Sequence, residues 1–193
     1  MRVVPDMANS GMRADVESWL MDEGHRTLRK IGITRGQAVL DFGCGDGVYS
    51  VPVARVVGSE GRVVALDRSA DKLKELTRRA RSFQLGNIET VLTSGELKLS
   101  FPEEHFDVVL LYDILHHYYF ALDERSRLLS EIHRVLRPDA LLSVYPEHMN
   151  IASIKTEIEA TGFVFAKDHR VRLIHEERYT RVRVLNFTKP VAS

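Results

Sequence analysis

Asp41, Gly43, Gly45 and Gly47 alternate through the run Val39-Leu40-Asp41-Phe42-Gly43-Cys44-Gly45-Asp46-Gly47-Val48-Tyr49-Ser50. β-Favouring residues lead into an acid, glycines follow at every second position, and a segment with helical character comes next: strand, sharp turn, helix N-terminus. Such glycines supply positive φ values and, lacking Cβ, let the backbone approach a ligand closely at the carboxyl end of a parallel strand. This is the pattern of a cofactor-binding turn. Its spacing argues against a dinucleotide, because Val48 stands where a pyrophosphate site wants a glycine and Asp41 would repel the pyrophosphate. Farther on, Asp67 closes an apolar run, where one ionised carboxylate could accept hydrogen bonds from both hydroxyls of a ribose. Two more segments carry groups able to take or give a proton: Tyr112, Asp113, His116 and His117 in one, Glu147 and His148 in the other. Adjacent His116 and His117 point in different directions in most backbones, so at most one is expected to face a substrate. No His-x-x-x-His pair or cysteine cluster is present, and no metal site is expected.

The elements that must hold these groups alternate. Ala38 to Phe42, Arg62 to Asp67, Ile88 to Thr93, Phe106 to Asp113 and Ala140 to Tyr145 read as apolar, buried parallel strands. Helical spacing falls between them: about Gly47 to Val57, closed by Gly58; Leu73 to Phe83, capped by Ser69; Asp123, as cap, through Leu136; and Asn150 to Thr161, closed by Gly162. Pro52 lies past the first turn of its helix by this reading, where it should remove a donor and bend the axis. His169 to Glu177 and Arg181 to Lys189 alternate apolar and polar residues, as a partly solvated antiparallel pair does. Residues 1 to 12 read as a mobile lead-in, and Arg13 to about Lys30 as a helix with an uneven apolar face, packing Trp19 into the core or lying across the cofactor cleft as a lid. The fold class is therefore α/β: a doubly wound, Rossmann-like sheet of seven strands, mostly parallel with an antiparallel edge strand, and helices on both faces. Residues 35–193 form one globular domain, and residues 1–34 a lead-in and helix that pack on or cover the cleft.

With 193 residues, one domain is the default. Lys plus Arg and Asp plus Glu balance at 27 each, so no global field gathers nucleic acid or an anionic membrane, and a nucleic-acid partner is disfavoured. Cys44 is the sole cysteine, which excludes an intrachain disulfide and fits a cytoplasmic location. No segment approaches the ~20 apolar residues of a membrane span. Arg170, Arg172, Arg181 and Arg183 alternate along the last strands, so each pair shares a sheet face.

Over about residues 36 to 189, these motifs, in this order, resemble the class I S-adenosylmethionine-dependent methyltransferases of the small-molecule type. The resemblance implies that Asp41, Gly43, Cys44, Gly45 and Gly47 lie beneath the methionine and ribose of S-adenosylmethionine, and that Asp67, beside Arg68, grips the ribose diol. Glu96, followed by Leu97, stands where the family usually has an aspartate that contacts the adenine amino group. Main-chain groups near Tyr112 would hold the methionine end. Where the family usually ends a turn in Pro-Gly-Gly, this chain has Pro138-Asp139-Ala140, so the turn must follow another path or accept strain. The expected reaction is in-line methyl transfer to a small-molecule acceptor, with His116, His117, Glu147 and His148 as candidate catalytic groups if the acceptor arrives protonated. Methylation of protein or RNA, a non-catalytic cofactor-binding module and a nicotinamide-dependent oxidoreductase remain open, as does a homodimer.

Overall fold

In the computed structural model, which describes the backbone of residues 7–191 and the side chains of residues 13–191, the wholly buried run Ala38–Phe42 forms strand β1. It pairs in parallel with β2 (Arg62–Asp67) on one side and β4 (Phe106–Tyr112) on the other; β3 (Ile88–Leu92) extends the sheet beyond β2 and β5 (Leu136–Tyr145) beyond β4. Two further strands, β6 (Val164–His175) and β7 (Arg178–Thr188), complete the order β3-β2-β1-β4-β5-β7-β6. β7 is antiparallel to both its neighbours, so it is inserted between β5 and β6, and the outermost strand β6 again runs with the parallel set.

Alternate residues of each strand feed two cores. Val39, Val63, Val108 and Leu110 pack beneath α2 (Gly24–Ile31), α3 (Ser50–Val57) and α4 (Ala70–Ser82), whereas Leu40, Val64, Val109 and Leu111 pack beneath α5 (Leu122–Val135) and α6 (Ile151–Glu159). Ser69 caps α4, its hydroxyl accepting from the Lys72 amide at 3.3 Å, and Asn150 caps α6 in the same way through Ser153.

Several expectations need correction. Residues 1–6 lie outside the described residues, but residues 7–12 open helix α1 (Met7–Ser18), which passes through one π-turn, Trp19–Glu23, into α2. The wider π-turn shifts the apolar face, which explains why the spacing looked uneven for a single helix. Helix α3 begins at Ser50 rather than Gly47, so Pro52 sits in the first turn, where a missing donor is tolerated. The Val48 carbonyl, which an amide at position 52 would have taken, instead accepts from the Trp19 indole at 2.8 Å. Trp19 is accordingly a core residue with no exposed surface. Helix α5 is capped at Ala121, whose amide donates to the Glu124 carboxylate at 2.8 Å, and Asp123 lies inside the first turn. Strand β5 starts directly at Leu136, and a register shift against β4 carries Asp139 into the left-handed region at φ 59°, so the turn without glycines does accept strain. A bulge at Ala166 offsets β6, hiding its first residues from an alternation test.

Candidate functional site

The glycine turn is tied down at the carboxyl edge of the sheet. The amides of Gly43 and Cys44 both donate to the Leu66 carbonyl, at 2.7 and 3.0 Å, so the turn folds over the end of β2. Gly47 has φ 84°, and a Cβ there would fall 2.1 Å from Leu76 Cδ1; only glycine allows α4 this close. At Gly45, φ 55°, a Cβ would meet nothing nearer than Lys72 at 3.9 Å, so the turn's outer side is open. The Gly45 amide donates to Asp67 Oδ2 and the Ser69 amide to Asp67 Oδ1, each at 2.8 Å. Two backbone donors thereby fix the carboxylate while each oxygen keeps a further acceptor direction.

Asp41 does something different. It is buried beneath the turn, accepts from the Ser50 hydroxyl at 2.5 Å, and so holds the first residue of α3. Burial pushes its carboxyl up to about 6, the Ser50 bond opposes this, and nearby Asp67 adds to the rise. Cys44 is buried, its thiol contacting the Gly45 carbonyl at 3.6 Å; burial, with Asp41 and Asp67, pushes the thiol well up, which makes it a poor nucleophile. The Tyr112 side chain enters the core, its hydroxyl 3.0 Å from Ser143 Oγ and its ring edge-on to Tyr49, leaving its main chain at the edge. Arg68 and Glu96 are exposed, the Arg68 guanidinium 5.8 Å from the Tyr119 ring centre, and Leu97 packs partly buried against the α5 side of the core.

Beyond the turn, the ends of three strands bring a second set of groups together. Asp113, just past β4, takes φ 56° and donates its amide to the Tyr145 carbonyl at 2.9 Å. Its carboxylate faces two histidines: Oδ1 is 3.8 Å from His116 Nε2, and Oδ2 is 3.6 Å from His175 Nδ1 at the end of β6. His148, after β5 and itself at φ 62°, lies with its ring centre 5.9 Å from that of His116 and 5.5 Å from that of His175. Burial lowers the His116 pKa, which Asp113 partly offsets; burial raises that of Asp113 against the pull of His175, His116 and His148. His116 is thus held in the site, while His117 is exposed with its ring 4.1 Å from Tyr118. Glu147 is half-buried beside Tyr145, whose phenol burial and the Glu147 carboxylate push up.

His175 is the member that sequence reading missed. Its signal was available only through strand direction: because β7 is antiparallel, β6 must return its last residue to the carboxyl edge where β1, β4 and β5 end.

Residues 39–139 match the family model described as "Methyltransferase domain". The chain belongs to that family. It carries a methyltransferase domain, and solved structures of S-adenosylmethionine-dependent methyltransferases share its fold. A methyltransferase from Aquifex aeolicus aligns with a TM-score of 0.72 at 19% identity, covering 97% of this chain and 100% of that one. Magnesium protoporphyrin IX methyltransferase from Synechocystis PCC 6803, solved with S-adenosylmethionine bound, aligns at 0.66 and 20% identity over 98% of this chain and 86% of that one. Among curated relatives, the ubiquinone/menaquinone biosynthesis C-methyltransferase of Escherichia fergusonii is 33% identical over 137 residues, 67% of this chain and 53% of that protein. Demethylmenaquinone methyltransferase of Geobacillus kaustophilus is 29% identical over 114 residues, 59% of this chain and 47% of that protein. The chain thus spans about half the length of these relatives. S-Adenosylmethionine, the cofactor of this methyltransferase family, fits the residues present. Asp67, oriented by two amides, has acceptor capacity left for a ribose diol, and the open side of Gly45 leaves room for the ligand.

Proposed function

We propose that this methyltransferase acts on a small aromatic acceptor that carries an ionisable hydroxyl, of the quinol type. The observation that carries the reading is the common edge: the Asp67–Gly45 corner and the Asp113–His116–His148 group both stand at the carboxyl ends of neighbouring strands. S-Adenosylmethionine supplies an electrophilic methyl on a sulfonium. Asp67 and the turn hold its ribose end, while Asp113, with His116 beside it, faces the position where the acceptor's hydroxyl would lie as it becomes nucleophilic. Tyr118 and Tyr119, both exposed with their ring centres 5.2 and 4.4 Å from that of His116, offer an apolar rim for a ring or an aliphatic tail. The names of the two relatives above point the same way, since both concern quinones. On the other side of the turn, away from the Asp67–Gly45 corner, Val16, Leu20 and Met21 join Asp46 and Val48 in lining a separate cavity of about 820 Å³, so this part of the N-terminal helices packs beside the turn.

Tritium from the methyl group of S-adenosylmethionine should appear in a reduced isoprenoid naphthoquinol or in the lipid-soluble fraction of an extract. Label confined to protein or RNA would instead favour the second reading. That reading has one observation behind it: Arg170 pairs with Arg183 and Arg172 with Arg181, so the four share one face of the β6–β7 hairpin. Cofactor binding without transfer to any fraction would reject both.

A further inference from the structure

Asp113, His148 and His175 each offer one ligand atom, and these atoms lie within 4.8 Å of one another. We propose that they bind a divalent transition-metal ion of the zinc type, with the fourth position open to water or to an oxygen of the acceptor. Two imidazoles and one carboxylate are a donor set that zinc accepts at catalytic sites, where three protein ligands leave one position free.

The geometry is close to what coordination requires. Metal–ligand bonds of about 2.0–2.2 Å separate the ligand atoms of a tetrahedral site by about 3.4 Å. The Asp113 Oδ2 to His175 Nδ1 distance of 3.6 Å already matches. His148 is exposed on the loop after β5, so its side chain can turn to close the remaining gap. Asp113 supplies a second observation: its Oδ1 is buried and has no hydrogen-bond partner among the described residues. A buried carboxylate oxygen without a donor is costly unless a cation or proton compensates it. His116 Nε2, 3.8 Å from that oxygen, is within reach to orient the carboxylate from behind once a metal draws Oδ2 forward. The ligands come from three elements far apart in sequence, which is why a spacing test over one helix or loop found no metal motif.

The site's existence rests on these residues alone; only its role, gripping the acceptor's oxygen, rests on the quinol reading above. The experiment therefore reads metal and not methyl transfer. Tag-free protein, stripped with a chelator and dialysed, is titrated calorimetrically with zinc chloride, and the cobalt-substituted protein is examined for tetrahedral d–d absorption. One zinc per chain is expected, with His148→Ala, His175→Ala and Asp113→Asn each weakening it at least ~10-fold and abolishing the cobalt bands. His105→Ala, at the amino edge of the sheet, should bind zinc as wild type does. Retained S-adenosylmethionine binding by calorimetry shows that each variant is folded. Wild-type protein that takes up less than half an equivalent, or variants that are folded and bind zinc unchanged, would overturn the site. Zinc uptake without methyl transfer to any quinol leaves the site standing and rejects the acceptor reading.

Discussion

Asp67, at the end of β2, and Asp41, beneath the glycine turn, are held differently: two backbone amides fix Asp67 and leave it acceptor capacity, whereas Asp41 is buried against Ser50. The Asp67 position was legible because an acid closing an apolar strand sits at the ligand edge; its two amide partners emerge only when the turn folds back over β2. Charge-assisted hydrogen bonds contribute about 1.5–3 kcal/mol each, and about 1.4 kcal/mol is tenfold in affinity. Asp67→Ala is therefore expected to weaken S-adenosylmethionine binding by roughly 10- to 1,000-fold in calorimetry, with the fold retained. The motif groups Asp41 with the ligand residues, and its hydrogen-bond partner among the described residues is Ser50, a contact that depends on where α3 begins. Its carboxyl rises from 3.8 to about 6 on burial. The folded chain thus holds this proton more tightly than the unfolded chain does. The stabilisation it provides is complete below about pH 3.8 and is lost as pH rises to about 6, a contribution of about 3 kcal/mol. Asp41→Asn cannot ionise and can still accept from Ser50, so urea melts should show a flatter stability profile from pH 4 to 6 and a more stable protein at pH 7. A variant that tracks wild type across that window would reject this account.

Among the elements, those with a strong local signal were readable and those governed by a partner were not. β1 and β2 coincide with their apolar runs, and Ser69 caps α4 as its sequence suggests. The N-terminal helices carry a π-turn, the start of β5 is concealed by Pro138 and a register shift, and a bulge offsets β6; each breaks the period on which pattern reading depends. The β6–β7 hairpin closes through Glu176 at φ 47° and Glu177 at φ 62°, a two-residue turn with both centres left-handed. Asparagine and glycine favour this turn, whereas glutamate is strained by roughly 1–2 kcal/mol at such a residue. Replacing the pair by Asn-Gly is expected to raise the melting temperature, by about 2–4 °C for each kcal/mol gained in a chain of this size. An unchanged or lowered melting temperature would show that the glutamates have compensating contacts.

For the whole molecule, alternation of strands and helices was enough to give the doubly wound sheet, while the insertion of β7 between β5 and β6 was not, because strand order depends on long-range pairing. The carboxyl edge gathers groups from the glycine turn, the end of β2 and the ends of β4, β5 and β6, so the candidate site draws on both halves of the sheet. S-Adenosylmethionine at 100 times its dissociation constant should stabilise the protein by about 2.7 kcal/mol, visible as a shift of the melting temperature that Asp67→Ala diminishes at the same concentration.

The position of β7 also bears on synthesis at the ribosome. Until residues 178–188 emerge, β5 is the border of a five-stranded parallel sheet, and Leu141 to Val144 have no partner on that side. Such an open border is a template for pairing with another nascent chain. The β6–β7 hairpin therefore works as a closing seam: the same element that covers the border brings His175 to Asp113, so protection from aggregation and completion of the candidate site depend on one pairing.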